Sequence, residues 1–301
     1  MPPLALNSPL RLGIVGLGRM GMRHWQTWTR LAGVELVAVC DPAPAVRQWA
    51  HQHQLLCCSD VEQLRDRIDM AVIASPSSTH CAFTLALLKQ RISCLVEKPL
   101  ALSSEACRQL ARCARENNTL LAVGQCERFN PGVIRTLREL NPSTTSVEVF
   151  RHVSHGAPVD SDVIEDLLVH DLDWVLHAGR QLVATEVLSS TQVGERVQAI
   201  LCRLDFFGGL QVYLSARYGF EPRREIILSP RSPTGTIPLE WQLVPNQADP
   251  LTLQAQAFLL ALRGESSPIA TGEDALKVMQ VCEQLRQQVR SMSVNRESCD
   301  A

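Results

Sequence analysis

The chain has 301 residues and a formal net charge of -2 at pH 7, and 46% of its residues are hydrophobic. This length is enough for about two domains, and the near-neutral charge argues against nucleic acid or a membrane surface as a partner. The 11 cysteines show no metal-type C-x-x-C spacing, so we expect free thiols, a reducing compartment and no metal site. With no recognisable signal peptide and no membrane-length apolar stretch, the expected location is the cytoplasm.

The first predicted strand leads into a glycine-rich turn and a helix. Residues 12–15 are apolar, residues 16–21 have the sequence G-L-G-R-M-G, and Asp41 follows a second strand, 20 residues after Gly21. This is the G-x-G-x-x-G pattern with a downstream acid that binds a dinucleotide in a βαβ unit. Gly16 would permit the tight turn, Gly18 would let a pyrophosphate approach the backbone, and Gly21 would let the helix pack closely. The alternative is a glycine-rich turn without a ligand.

The acid at position 41 indicates which dinucleotide is bound. A carboxylate can accept hydrogen bonds from both ribose hydroxyls, but it would repel a 2′-phosphate. The next basic residue is Arg47, six positions further along. The sequence therefore favours NAD over NADP.

Alternating helices and apolar strands continue to residue 125. After Asp41 we predict helices at 43–53, 61–67, 81–90 and 104–117, and strands at 70–74, 93–96 and 120–123. This alternation predicts a Rossmann domain over residues 1–125, with a doubly wound parallel sheet covered on both faces. The carboxyl ends of its strands form the edge where ligands bind.

A different pattern begins at residue 126. Strands are predicted at 147–153, 185–191, 198–206, 210–217, 225–229 and 235–241, with a hairpin turn at Gly208-Gly209. Helices are predicted at 162–178, 251–262 and 272–289, followed by a frayed tail from Met292. We therefore expect an α+β domain over 126–301, built on a large, mostly antiparallel sheet, for substrate binding and oligomerisation. We expect its last helices to pack back on the first domain.

Two clusters of polar residues could carry chemistry. Glu97-Lys98-Pro99 follows a central strand, where a charged pair is costly unless it faces a ligand. Asp166, His170, Asp173 and His177 have helical spacing and would form one polar stripe, with Asp162 and Glu165 capping the helix. The stripe could instead be a solvated face or a simple ion pair, and its spacing makes a metal site unfavourable. His24, on the first helix, is expected to serve in packing.

Four landmarks, taken in order, resemble the Gfo/Idh/MocA family of oxidoreductases. They are the glycine turn 16–21, the stretch 75–80 (S-P-S-S-T-H), Glu97-Lys98-Pro99, and the D-x-x-x-H-x-x-D pattern at 166–173. Segments 123–131 and 162–173 are similar to the branch that contains UDP-N-acetylglucosamine 3-dehydrogenases. The glycine-rich segment that often precedes the catalytic helix in this family is absent, and residues 159–162 are V-D-S-D instead.

The resemblance implies an NAD-dependent enzyme that transfers a hydride between the nicotinamide and a secondary hydroxyl of a sugar or nucleotide sugar. It implies that the catalytic residues are Lys98, Asp166 and His170, with either Lys98 or His170 as the base. Substrate contacts would come from these three together with Arg128 and Asp173. The implied cofactor contacts are Gly16, Gly18, Arg19, Met20, Gly21, Asp41, Ser75, Pro76, His80, Glu97, Lys98 and Gln125.

Two other functions fit the same pattern. One is an NAD(P)H-dependent reductase of a non-sugar carbonyl or imine, similar to biliverdin reductase or dihydrodiol dehydrogenase. The other is a catalytically silent NAD-binding sensor, which would need the glycines but not Lys98, Asp166 and His170. The resemblance also implies a homodimer or homotetramer that associates through the exposed sheet face of the second domain. A solvent-facing position for His80 is the alternative to a place beside the cofactor.

Overall fold

The structure is a computed structural model that describes residues 8–156, 162–230, 235–239 and 248–297. Its described residues form two compact units: one contains the chain up to Cys126 and residues 248–276, and the other contains the rest. The division therefore falls one residue after the expected position. The helix at 250–262, which we placed in the 126–301 segment and expected to pack back on the first domain, is part of the first unit.

The strands and helices are as follows. The strands are β1 (Leu10–Val15), β2 (Val34–Cys40), β3 (Leu56–Cys58), β4 (Met70–Ile73), β5 (Ser93–Val96), β6 (Leu121–Val123), β7 (Ser146–Val153), β8 (Leu182–Val193), β9 (Arg196–Phe206), β10 (Gln211–Tyr218), β11 (Arg223–Ser229), β12 (Ile237–Pro238) and β13 (Ala270–Thr271). The α-helices are α1 (Arg19–Trp28), α2 (Pro44–Gln52), α3 (Ser77–Lys89), α4 (Ser104–Glu116), α5 (Pro131–Glu139), α6 (Val169–His177), α7 (Pro250–Leu262) and α8 (Gly272–Glu297). Short 3₁₀ turns cover Val61–Leu64 and Cys126–Phe129, and a π-helical turn covers Ile164–Leu168.

The first unit is the predicted Rossmann fold. Its sheet has the strand order β13-β6-β5-β4-β1-β2-β3, and its strands are parallel except for the β6–β13 pair. Every residue of β4 and β5 is buried, as expected for strands that are covered on both faces. Since β1, β4 and β5 are neighbours, the loops that follow them lie along one edge of the sheet. We did not predict β3, because three residues are too few to show a period.

The second unit contains the predicted, mostly antiparallel sheet. Its strand order is β12-β11-β7-β10-β9-β8, and only the β7–β10 pair is parallel. Gly208 and Gly209 join β9 to β10 with φ angles of 89° and 86°. These left-handed conformations explain why glycines occupy the hairpin turn.

Three predictions for the later part of the chain need correction. The helix expected over 162–178 consists of the π-helical turn and α6. The last helix continues to Glu297, so the tail does not fray at Met292. The strand expected at 235–241 is reduced to β12, and residues 240 and 241 lie outside the described part. Among the helices of the described residues, none combines the length and apolar character needed to cross a bilayer.

Candidate active site

The glycine turn between β1 and α1 has the geometry of a phosphate cradle. Gly16 has φ of 84°, and a Cβ there would lie 2.6 Å from the backbone nitrogen of Ser75. A Cβ on Gly21 would collide with the carbonyl oxygen of Gly16, whereas a Cβ on Gly18 would meet no protein atom within 4 Å. Thus the protein's own backbone requires Gly16 and Gly21, while Gly18 borders open space.

This open space lies at the start of α1. Gly18 is the N-cap residue, and no side chain within the described ranges caps the helix there. The first N–H groups of a helix need acceptors, and a pyrophosphate provides them. Arg19 is exposed and Met20 is partly exposed in the same turn. The cradle therefore fits the diphosphate of a dinucleotide.

Asp41 follows β2 and is bonded to the glycine turn. One carboxylate oxygen accepts a hydrogen bond from the Leu17 N–H at 2.8 Å, and the other accepts one from the Ala43 N–H at 2.9 Å. Because a carboxylate has about four acceptor sites, it retains capacity for ribose hydroxyls. The structure thus places Asp41 beside the cradle.

His80 joins two of the loops at the ligand-binding edge. It is buried, and its Nε2 lies 2.9 Å from the Ser75 carbonyl oxygen while its Nδ1 lies 2.8 Å from the Pro99 carbonyl oxygen. Carbonyl oxygens only accept, so each neutral tautomer of the ring donates to one of these two loops. The solvent-facing alternative for His80 is wrong. Pro76 is the N-cap residue of α3, and the Ser75 hydroxyl bonds Thr79 at 2.7 Å.

The Glu97 side chain is hydrogen-bonded to a histidine of the helix α1. Its Oε1 accepts a 2.7 Å hydrogen bond from His24 Nε2, and its Oε2 accepts one from the Lys98 N–H at 3.2 Å. Burial raises the pKa of Glu97, but the bond from His24 and the charges of His24 and Lys98 outweigh it and hold the pKa below its ordinary value. Our packing role for His24 is therefore incomplete, because it also anchors the residue before Lys98. The Lys98–Pro99 peptide bond is cis.

Gln125 lies just beyond β6 at the same edge of the sheet. It is buried, and its Oε1 has no hydrogen-bond partner among the described residues. A buried amide oxygen is normally paired, so this atom fits a donor supplied by a ligand, such as a carboxamide. Together with the cradle, this unpaired atom indicates that the first unit can hold a nicotinamide dinucleotide.

In the second unit, Asp166 lies within the π-helical turn and accepts a 2.6 Å hydrogen bond from the hydroxyl of Tyr218. Asp162 caps this turn as predicted, by accepting hydrogen bonds from the Ile164 and Glu165 N–H groups at 3.0 and 3.2 Å. The Glu165 carboxylate lies 2.6 Å from Arg286. The segment that carries Asp166 and His170 is thus anchored by the sheet and by α8.

The predicted polar stripe is not one uniform face. Asp173 is buried in a two-pronged pair with Arg128, with distances of 2.6 and 2.7 Å. His170 and Asp166 are partly exposed, and His177 is exposed. A solvated stripe is therefore wrong at Asp173. The pairing gives Arg128 and Asp173 a structural role in the second unit, and their substrate contacts stay a prediction.

A second buried ionic cluster escaped the sequence analysis. Arg151 donates to the two carboxylate oxygens of Asp171 at 2.7 Å each and to Oε1 of Glu127 at 3.0 Å. The same Glu127 oxygen accepts a hydrogen bond from Arg224. Burial lowers the pKa of Arg151, but these two carboxylates raise it overall. The alternation of β7 was a usable signal, because it places Arg151 on the same face as the buried Val147 and Val149.

Residues 10–125 match the family model described as an oxidoreductase family with an NAD-binding Rossmann fold, Gfo/Idh/MocA. The match covers the part of the Rossmann unit that ends at Gln125. UDP-N-acetylglucosamine 3-dehydrogenase of Acidithiobacillus ferrooxidans is 28% identical over 222 residues, which cover 72% of this chain and 70% of that protein. Inositol 2-dehydrogenase 2 of Paenarthrobacter aurescens is 26% identical, with 94% of this chain and 97% of that protein covered.

Solved structures match the fold of nearly the whole chain. A solved structure of UDP-N-acetylglucosamine 3-dehydrogenase from Acidithiobacillus ferrooxidans superposes on this chain with a TM-score of 0.80 at 24% identity, covering 93% of this chain and 97% of that chain. The aldose-aldose oxidoreductase of Caulobacter crescentus, complexed with glycerol, gives 0.82 at 19% identity, covering 94% and 98%. These likenesses confirm the predicted fold, and the family-model match over residues 10–125 supports a nicotinamide cofactor.

Proposed function

We propose that the protein is an NAD-dependent dehydrogenase that oxidises a secondary hydroxyl of a sugar or nucleotide sugar, or reduces the corresponding ketone. The observation that carries this proposal is the placement of Lys98 and the glycine cradle at the carboxyl ends of β5 and β1, two strands of one sheet separated only by β4. A cationic side chain is thereby held at the same edge as the diphosphate cradle. This is the edge where ligands bind in sheets of this kind.

The reaction needs a positive group beside the oxygen that loses its proton, and a base that accepts this proton. A bound NAD⁺ would supply the two-electron acceptor. We assign the stabilisation of the developing alkoxide to Lys98. His170 can act as a base in its neutral form, and Asp166 can fix its tautomer. Lys98 in its neutral form is the other candidate for the base.

The relatives support a polyhydroxylated substrate. Their names are UDP-N-acetylglucosamine 3-dehydrogenase and inositol 2-dehydrogenase, and both denote oxidation at one hydroxyl among several. These names do not favour a reductase of non-sugar carbonyls or imines. A silent sensor would have no need of Lys98, Asp166 and His170.

The experiment is a screen for NADH formation. The purified protein is incubated with NAD⁺ and, in separate reactions, with UDP-sugars, free sugars and inositols, while NAD⁺ binding is measured by fluorescence. We expect at least one of these compounds to reduce NAD⁺ catalytically. Binding of NAD⁺ without turnover on any of them would contradict the proposed activity and favour a sensor.

We propose that NAD⁺ is preferred over NADP⁺ because of the Asp41 carboxylate. Asp41→Ala should weaken NAD⁺ binding by roughly tenfold or more, since each hydrogen bond to a charged group contributes about 1.5–3 kcal/mol. The same change should leave NADP⁺ binding unchanged or improve it. Fluorescence titration of both cofactors measures this, and a larger loss for NADP⁺ would exclude the assignment.

Asp41→Asn is the matched control for this titration. Asp41 also accepts the backbone N–H groups of Leu17 and Ala43, so the alanine variant could act by loosening the glycine turn. Asparagine keeps one oxygen acceptor but removes the charge. If the charge sets the preference, this variant should gain NADP⁺ binding while its thermal unfolding is lowered less than that of Asp41→Ala, because one of the two backbone acceptors is kept.

A further inference from the structure

We infer that Tyr218 is a positioning residue that orients the Asp166 carboxylate for its work with His170. This inference rests on the proposed function, in which Asp166 and His170 handle the substrate proton. The Tyr218 hydroxyl donates a 2.6 Å hydrogen bond to Asp166 Oδ2. Tyr218 is buried, with 4% of its surface exposed, and it is the last residue of β10.

The Asp166 carboxylate needs such an anchor because of the shape of the helical turn that carries it. In a regular α-helix, residues four apart lie above one another, so the helix itself would direct Asp166 toward His170. Here Asp166 lies in the π-helical turn Ile164–Leu168, which is wider than an α-helical turn. Turns of this kind frequently occur at functional sites. The bond from the sheet therefore restrains the direction of the Asp166 side chain.

The bond itself is of a strong type. A length of 2.6 Å is typical of a hydroxyl that donates to a charged oxygen, and such bonds are about twice as strong as neutral ones. The strand also restrains Tyr218, because β10 pairs with β7 and aligns Tyr218 with Val153. A donor fixed by the sheet is suited to hold a carboxylate in one orientation.

The chain offers a matched control on the same strand. It has two tyrosines, and the other one is Tyr213. Tyr213 is partly exposed, and its hydroxyl donates to Gln211 Oε1 at 3.0 Å. Each substitution removes a tyrosine hydroxyl from β10, and of these two hydroxyls the one on Tyr218 bonds to a residue of the proposed machinery.

The test compares Tyr218→Phe with Tyr213→Phe in steady-state kinetics on the sugar substrate. For Tyr218→Phe we expect kcat to fall roughly tenfold to a hundredfold, the range for a lost bond to a charged group, with KM for NAD⁺ unchanged. Tyr213→Phe should have wild-type kinetics. A Tyr218→Phe enzyme with wild-type kcat would overturn the inference.

The Asp166→Ala background separates positioning from direct contact with the substrate. If Tyr218 acts through Asp166, adding Tyr218→Phe to Asp166→Ala should cause no further loss of kcat. If the two losses multiply, Tyr218 acts on the substrate independently, and the positioning role is wrong.

The wild type, Tyr218→Phe, Asp166→Ala and the double variant also give a readout that needs no turnover, the midpoint of thermal unfolding. Tyr218→Phe should lower the midpoint of thermal unfolding in the wild-type background but not in the Asp166→Ala background. If the wild type oxidises no sugar, the proposed function fails, and this cycle still decides whether the two side chains are coupled. Additive shifts in the midpoint would overturn the inference.

Discussion

At the residue scale, Glu97 shows how the protein keeps a largely buried carboxylate ionised. Its side chain is 12% exposed, and His24, 73 positions earlier in the chain, lies 2.7 Å from it. No local pattern in the sequence joins residues so far apart, so the sequence predicted the importance of Glu97-Lys98-Pro99 but not the partner that holds it. The same limit applies to Arg128 and Asp173, which are 45 positions apart.

The lowered pKa of Glu97 predicts a pH-dependent stability. A carboxyl group whose pKa is lower in the folded than in the unfolded chain stabilises the fold above the unfolded value, near 4.5, and loses this effect as the pH falls through the folded value. Glu97→Gln should therefore lower the free energy of unfolding at neutral pH by about 1–3 kcal/mol. The difference from the wild type should shrink in acid.

Urea unfolding of both proteins at neutral and acidic pH measures this difference. Glu35→Gln is the control, because Glu35 is exposed on β2 and should show little effect at either pH. A destabilisation by Glu97→Gln that is the same at both pH values would mean that lost packing, rather than lost charge, is the cause.

At the element scale, the turn from β1 to α1 separates two uses of glycine. We predict that Gly21→Ala destabilises the fold by about 1–3 kcal/mol or more, because its Cβ would overlap the Gly16 carbonyl oxygen and the backbone cannot move cheaply. Gly18→Ala should fold normally, since Gly18 has φ of -71° and open space around it. It should nevertheless bind NAD⁺ more weakly.

Thermal unfolding and NAD⁺ titration of these two variants distinguish the roles. The outcome that would contradict the cradle is a Gly18→Ala protein that binds NAD⁺ as tightly as the wild type. Wild-type stability of Gly21→Ala would contradict the close packing of α1 against the turn.

The helix that carries Asp166 and His170 shows what periodicity can and cannot predict. The spacing of polar and apolar residues correctly predicted a helical segment near 162–178 and its cap at Asp162. It could not reveal the π-helical turn, because one extra residue in a turn leaves the composition unchanged. Counting by i and i+4 also gave a single stripe, whereas the structure buries Asp173 against Arg128 and leaves Asp166 and His170 partly exposed.

At the scale of the whole molecule, both sheets were predictable because the strands of each show a clear local pattern of apolar residues. The parallel strands read as continuous apolar runs, and strands such as β7 alternate between buried and partly exposed residues. The expectation that the last helices pack back on the first domain agrees with α7, which belongs to the first unit and places Phe258 against Trp28. The boundary at residue 126 could not show this, because α7 returns to the first unit after the strands of the second sheet. The expected homo-oligomer and the cytoplasmic location stay predictions.

The central claim is that the chain oxidises a secondary alcohol with Lys98 as a catalytic residue. The most direct measurement is the rate of NADH formation by Lys98→Ala, compared with the wild type and with Lys89→Ala, an exposed lysine at the end of α3. We predict that Lys98→Ala loses about 100-fold or more in kcat while it still binds NAD⁺, and that Lys89→Ala keeps wild-type activity. Wild-type turnover by Lys98→Ala would contradict the account.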